Sequence, residues 1–197
     1  MDTTAGFLGQ APASAAAERL MAEDREDVGY VMNLTRVWAH APELSEAWAA
    51  LTLRAAEIGG IDFVTKGVLV SAAAASRGDS YCALAWGSRL AGVLGDDVAR
   101  AVLTGDDHGL DERRQVLAAW ARRVVGDPNS TTAEDVQRLR EVGLEDRQIL
   151  GVTVYVAMRQ AFSTVNDALG ARPDAELSDA APEGVREAVS WGRPTAG

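Results

Sequence analysis

A single cysteine, Cys82, in a chain of 197 residues excludes an intramolecular disulfide. Long hydrophobic runs are missing as well. The most apolar stretch, GVLVSAAAAS, stops at Arg77, far short of the length that crosses a bilayer. Basic clusters are also lacking: 19 Lys and Arg are outnumbered by 29 Asp and Glu, giving a net charge of -10, and the cations are scattered along the chain. Neither nucleic acid nor a membrane is therefore an expected partner. The opening MDTTAGFLGQAPASAAAERL has no basic stretch and no long apolar core, so the expected location is cytoplasmic. No strand-turn-strand pattern occurs anywhere.

What is present is helical. Hydrophobic residues make up 47% of the chain, with few aromatics and abundant alanine, and the length suffices for one domain with a sizeable core. Residues 1–12 lack periodicity and read as an extended arm. From Ala13, apolar residues recur at three- and four-residue steps. Val31, Leu34, Val37 and Trp38 form one stripe. Pro42 opens the next helix, whose apolar positions are Leu44, Ala47, Trp48, Leu51 and Ala55, stopped by Gly59 and Gly60. DFVTKGVLVSAAAASRG reads as a buried helix ended by Gly78. Asp79 or Ser80 caps a helix through Cys82 to about Val93. Thr132 and Asp135 form a capping signal. The longest periodic stretch, LEDRQILGVTVYVAMRQAFSTVNDALG, offers Ile149, Val152, Val156, Phe162 and Val165 to a core. Residues 171–197 read as a surface-wrapping tail with one short helix near Glu183 to Trp191. The expected class is all-α: a single domain over 13–170 with about eight to ten helices.

The chemistry concentrates at SRGDSYCALAWG. A cysteine in the first turn of a helix has its thiolate favoured by oriented backbone amides, whereas a free cysteine is also among the most commonly buried residue types. Asp79 lies three residues before it and opposes a negative sulfur; Trp86 follows on the same face. His40, at a helix end, reads as a surface or capping residue. His108, beside Asp106 and Asp107, reads as part of a solvated loop, and no metal is expected. The Arg-Gly-Asp tripeptide at 77–79 spans a helix stop and a cap. Trp38, Trp48 and Trp120 read as core or interface.

The order of GYVMNLTRVWAHAPEL, an alanine-rich helix, SYCALAWG, LDERRQVLAAWARRVVGDPNSTTAEDVQRLREVGLEDRQIL and FSTVNDALG resembles the peroxidase-related branch of the carboxymuconolactone decarboxylase and alkylhydroperoxidase D superfamily, over roughly 7–170. The resemblance implies an alkylhydroperoxidase D-like helical bundle that assembles as a dimer, trimer or hexamer, works without a cofactor and takes a small-molecule substrate. Redox members carry Glu, eleven residues, Cys-x-x-Cys, three residues and His. On this pattern the attacking thiol is Cys82, while Asp79 replaces the resolving cysteine, Trp86 the histidine and Gly67 the glutamate. The candidate catalytic residues are Cys82, on this pattern, and Asp79, as an acid or base. Lys66, Gly67, Ser80, Tyr81 and Trp86 are the pocket candidates, with Lys66 the nearest positive charge.

The first functional expectation is a one-cysteine thiol oxidoreductase that reduces hydroperoxides with an external thiol. The alternatives are a redox-inactive relative in which Asp79 serves a decarboxylase- or isomerase-like step, and a non-catalytic oligomer.

Overall fold

The computed structural model describes residues 6–196, so residues 1–5 of the expected N-terminal arm lie outside the described residues. Those described form an all-α fold of eleven α-helices and one 3-10 turn, without strands. The helices are α1 (Ala15–Asp27), α2 (Asn33–Trp38), α3 (Pro42–Gly59), α4 (Phe63–Arg77), α5 (Ser80–Leu94), α6 (Asp96–Thr104), α7 (Glu112–Gly126), α8 (Ala133–Glu141), α9 (Asp146–Ala168), α10 (Ala175–Ala180) and α11 (Glu183–Ala188). The count exceeds the expected eight to ten by one. The extra helix is α10, a six-residue turn in the polar tail too short to show a periodicity.

The alanine-rich α4 is the centre of the bundle, with α5, α7 and α9 packed around it. Nine of its residues are buried, from Thr65 through Ala74. Burying side chains such as Val68, Leu69 and Val70 stabilises the fold by about 1.5–3 kcal/mol each. The alanines let neighbouring helices approach closely. No single helix is long and apolar enough to cross a membrane, and α3 and α4 turn through 114° at their junction.

The β-branched VTVYV segment is helical throughout, within the 23-residue α9. Packing of α9 on α3 and α4 overrides its local preference. The closest approach is between glycines: a Cβ on Gly151 would stand 2.6 Å from the Gly59 nitrogen and 3.0 Å from the Ala55 carbonyl oxygen. This register decides which face of α3 is covered. Thr52, Ala55 and Gly59 are buried against α9, whereas Leu44 and Leu51, expected on the core stripe, remain exposed.

Beyond Gly170 the chain returns across the bundle. Val185 of α11 is fully buried near Gly87 and Leu103 of α5 and α6. Several hydrogen bonds tie down the last residues: Ser80 Oγ donates to the Arg193 carbonyl at 2.7 Å, Arg193 Nη2 to the Asp167 carbonyl at 2.6 Å, Arg172 Nε to the Pro194 carbonyl at 3.1 Å, and the Ala196 N–H to the Pro173 carbonyl at 2.8 Å.

Candidate functional site

Gly78 ends α4 in the left-handed conformation (φ 71°), which turns the chain so that Asp79 caps α5. The Cys82 backbone N–H donates to Asp79 Oδ1 at 3.0 Å. Cys82 is thus the third residue of the helix and is only 3% exposed. Its sulfur faces α9. Arg159 Nη2 donates to Sγ at 3.3 Å, and Ser163 Oγ lies 3.9 Å from it.

Arg159 and Ser163 belong to one face of α9. The steps Tyr155, Arg159, Phe162/Ser163 and Asn166 are three to four residues apart, so these side chains stack along a single stripe. All five are buried. At the upper end, Asn166 Oδ1 accepts the Trp38 indole N–H at 2.9 Å. Several polar atoms of this neighbourhood are buried without a hydrogen-bond partner among the described residues: Asp79 Oδ2, Tyr155 Oη, Arg159 Nε and Asn166 Nδ2. Buried polar groups are ordinarily paired, which singles this neighbourhood out as the candidate site.

The electrostatics differ from the expectation of a helix-activated thiol. Burial pushes the Cys82 thiol up to about 12, and the Asp79 charge adds to the rise; Arg159 and Ser163 oppose it. The amide that would have favoured the thiolate is already taken by the Asp79 carboxylate. At rest the sulfur is protonated, with the Asp79 cap and the Arg159 guanidinium beside it.

Beside this centre is an aromatic cluster. Phe162 stacks on Trp48 (centroids 4.4 Å apart) and on Trp38 (5.1 Å). The Arg159 guanidinium lies 5.2 Å from the Trp48 ring centre and 4.9 Å from that of Phe162. A cavity of about 170 Å³ opens against the cluster, lined by Trp38, Trp48, Phe162, Leu34, Asp24 and Ser45 among others.

The candidate residues read from the sequence part company here. Asp79 and Cys82 come together. Lys66 lies over the Trp86 ring, its Nζ 4.6 Å from the ring centre. Gly67 instead packs against Leu90. Ser80 points beneath the C-terminal segment, and Tyr81 donates to Asp174, whose other oxygen accepts the Asn33 N–H at 2.8 Å. Ser80, Tyr81 and Cys82 diverge because consecutive helix residues are rotated by about 100°. His40 Nε2 is 3.1 Å from the Gly9 carbonyl oxygen, and His108 Nδ1 is 3.0 Å from Asp106 in an exposed turn. Arg159, Ser163, Tyr155 and Asn166 escaped the sequence reading, whereas Trp38, Trp48 and Phe162 pack in the core as expected, although their stacking beside the cysteine was not foreseen. The signal was there for one of them: Arg159 occupies the same register as Val152, Val156 and Phe162, where an apolar residue is expected.

Asp167 adjoins this region. Burial pushes its carboxyl from an ordinary 3.8 up to about 6, with Asp79 adding to the rise and Arg193 and Arg77 opposing it. Between these values the folded state binds more protons than the unfolded one, so this group's effect on stability worsens as pH rises from about 4 to 6. Asp167→Asn is expected to raise stability at pH 7.5 by about 1 kcal/mol, a figure discounted because the group is only half-buried, and to leave it unchanged below pH 4. Urea midpoints of both proteins at the two pH values check this.

The all-helical bundle is similar to solved structures of the alkylhydroperoxidase D-like fold. A peroxidase-related protein from Ralstonia eutropha JMP134 with the alkylhydroperoxidase AhpD core superposes with a TM-score of 0.75 at 20% identity, covering 87% of this chain and 94% of that one. A peroxidase-related protein from Silicibacter sp. TM1040 gives 0.75 at 18% identity, covering 87% and 93%. The debrominase Bmp8, as a cysteine-to-alanine variant in complex with 2,3,4-tribromopyrrole, gives 0.72 at 15% identity, covering 91% and 96%. No protein-family profile matches the sequence, and no curated protein matches it. The chain has the alkylhydroperoxidase D-like fold.

Proposed function

We propose that this protein is a one-cysteine thiol oxidoreductase that reduces hydroperoxides, with Cys82 as the attacking group. The observation that carries the reading is the Arg159 guanidinium donating to the Cys82 sulfur at 3.3 Å in a buried setting. An inert core cysteine has no need of a buried cation, and burying one is costly unless it serves a charge. The debrominase with the same fold supports a cysteine site that receives a small organic molecule.

In this reading Asp79 accepts the thiol proton through its unpartnered Oδ2, and Arg159 holds the thiolate. The sulfur attacks the terminal peroxide oxygen; the O–O bond breaks, and the leaving alkoxide takes the proton to depart as an alcohol. Cys82 becomes a sulfenic acid. With one cysteine in the chain, an external thiol attacks that sulfur, water leaves, and a second thiol releases Cys82 as the external pair becomes a disulfide.

The test is trapping. After cumene hydroperoxide treatment in the presence of dimedone, mass spectrometry is expected to place the adduct on Cys82, and dithiothreitol added after the peroxide but before the dimedone is expected to restore the thiol and prevent the adduct. A protein that consumes no peroxide and forms no adduct would overturn the reading.

A further inference from the structure

Two side chains of α9 reach the Cys82 sulfur, and they reach it differently. Arg159 Nη2 donates to Sγ at 3.3 Å, whereas Ser163 Oγ stands off at 3.9 Å. Ser163 is 5% exposed, and its hydroxyl has no other hydrogen-bond partner among the described residues. A hydroxyl inside a helix can turn back to the carbonyl four residues earlier. Thr52 does so toward Trp48 at 2.7 Å, Thr153 toward Ile149 at 2.7 Å, and Thr164, next to Ser163, toward Gln160 at 2.8 Å. Ser163 forgoes that acceptor, and its oxygen faces the sulfur instead.

The two distances suit different steps of the chemistry proposed above. While the sulfur is the nucleophile the negative charge is on sulfur, and the guanidinium in direct contact carries it. A hydroxyl at 3.9 Å is too far for that task, and its effect on the thiol is smaller than those of burial, Asp79 and Arg159. Once the sulfur has taken an oxygen, the acceptor is an atom standing out from it. Turned toward α9, that oxygen comes within about 2.7–2.8 Å of Ser163 Oγ, the ordinary O–H···O length. In a chain with one cysteine it must wait there for an external thiol, and a buried oxygen needs a partner while it waits.

We infer that Ser163 is the catalytic hydrogen-bond donor for reduction of the Cys82 sulfenic acid: it holds the sulfenic oxygen and stabilises it as it leaves, and takes little part in the attack on peroxide. Ser163 has this role only within the peroxide reading, of which it serves one half. In that half the external thiol gives up its proton and attacks the Cys82 sulfur. The S–S bond forms as the S–O bond breaks, and the oxygen departs as water with its own hydrogen and the proton from the thiol. The electron pair of the broken bond goes to oxygen, so negative charge builds there before the proton arrives. A donor already placed on that oxygen lowers the barrier. The Ser163 proton is shared through the hydrogen bond and stays on Ser163.

Steady-state kinetics of the full chain with cumene hydroperoxide and dithiothreitol separate the two halves. In a cycle that oxidises and then reduces one thiol, kcat/KM for the peroxide reports the first half and kcat/KM for the dithiol the second. Ser163→Ala is expected to lower kcat/KM for dithiothreitol about tenfold, the loss of a hydrogen bond to a charged group, and to keep kcat/KM for the peroxide within about threefold. Alanine is the better helix former and fits the same space, so an unchanged melting temperature is the control. A merely structural role would lower both constants together or neither, and either result in the folded variant overturns the assignment. A second measurement needs no turnover. Protein oxidised with one equivalent of cumene hydroperoxide and then mixed with dithiothreitol should lose its dimedone-reactive form about tenfold more slowly in Ser163→Ala than in the wild type, and equal decay overturns the assignment as well. A wild type that consumes no peroxide and forms no dimedone adduct removes the peroxide reading and this role with it. Normal trapping with an unchanged dithiothreitol constant in Ser163→Ala removes this role alone.

Discussion

Thiol-driven hydroperoxide consumption at pH 7 is expected to fall on the order of a hundredfold when Arg159 is replaced by methionine, toward the background left by Cys82→Ser. Burial and Asp79 both disfavour a negative sulfur, and Arg159 is the one cation that donates to it. An opposite charge in such contact shifts a titrating group by roughly one to three pH units, so its loss lowers the thiolate fraction by a comparable power of ten. Methionine retains the length and apolar body that pack on Trp48 and Phe162. The rate of Arg159→Met should recover as pH is raised, whereas a merely structural defect would show no such recovery. Arg159→Lys should restore part of the rate. A rate equal to that of wild type at pH 7 would remove Arg159 from the chemistry. Thermal unfolding is the control, because exchanging a buried charge for a well-packed apolar group is often neutral for stability.

The second large effect is on the fold. Gly151→Ala is expected to destabilise the protein by about 3 kcal/mol, at the upper end for overpacking, and to lower its melting temperature by roughly 10 °C. The new Cβ would lie 2.6 Å from the Gly59 nitrogen, 2.8 Å from Ile58 Cγ2 and 3.0 Å from the Ala55 carbonyl oxygen. Two of these are backbone atoms, which cannot swing aside, so α3 and α9 must separate. Trp48 is on α3 and Phe162 on α9, and their 4.4 Å stacking spans the same interface. The variant should therefore also loosen the aromatic wall beside Arg159, seen as altered tryptophan near-ultraviolet circular dichroism. Unchanged melting would mean that the two helices do not meet at these glycines.

The helices were legible because each has local cause. Gly78 can adopt the left-handed turn, Asp79 can accept the amide of Cys82, and the alanine run from Ala72 to Ala75 packs without a strand's need for partners. The cap of α5, and with it the position of Cys82 in a first helical turn, follows from residues within a few positions of one another. What the sulfur meets does not. Arg159 lies 77 residues away and Ser163 lies 81 away. Reading outward from the cysteine along the chain led to Gly67, Ser80 and Tyr81, which the helix directs elsewhere. Of the pocket candidates, Lys66 and Trp86 meet each other across α4 and α5.

The same contrast separates helix class from helix face. Periodicity placed Leu44 and Leu51 inside, yet α9 sits on the Thr52–Ala55–Gly59 face of α3, because only there do two glycine backbones allow contact. From the amino-acid sequence alone came an all-helical chain with one cysteine at a helix start and an acid as its cap, since propensity, capping and composition act over short spans. Tertiary structure alone decided that this thiol is buried and thereby held protonated, that Arg159 faces it, and that Lys66 and Arg89 stand over the Trp86 ring. Burial and charge at a point depend on every helix that converges there, and no single stretch of sequence carries that sum.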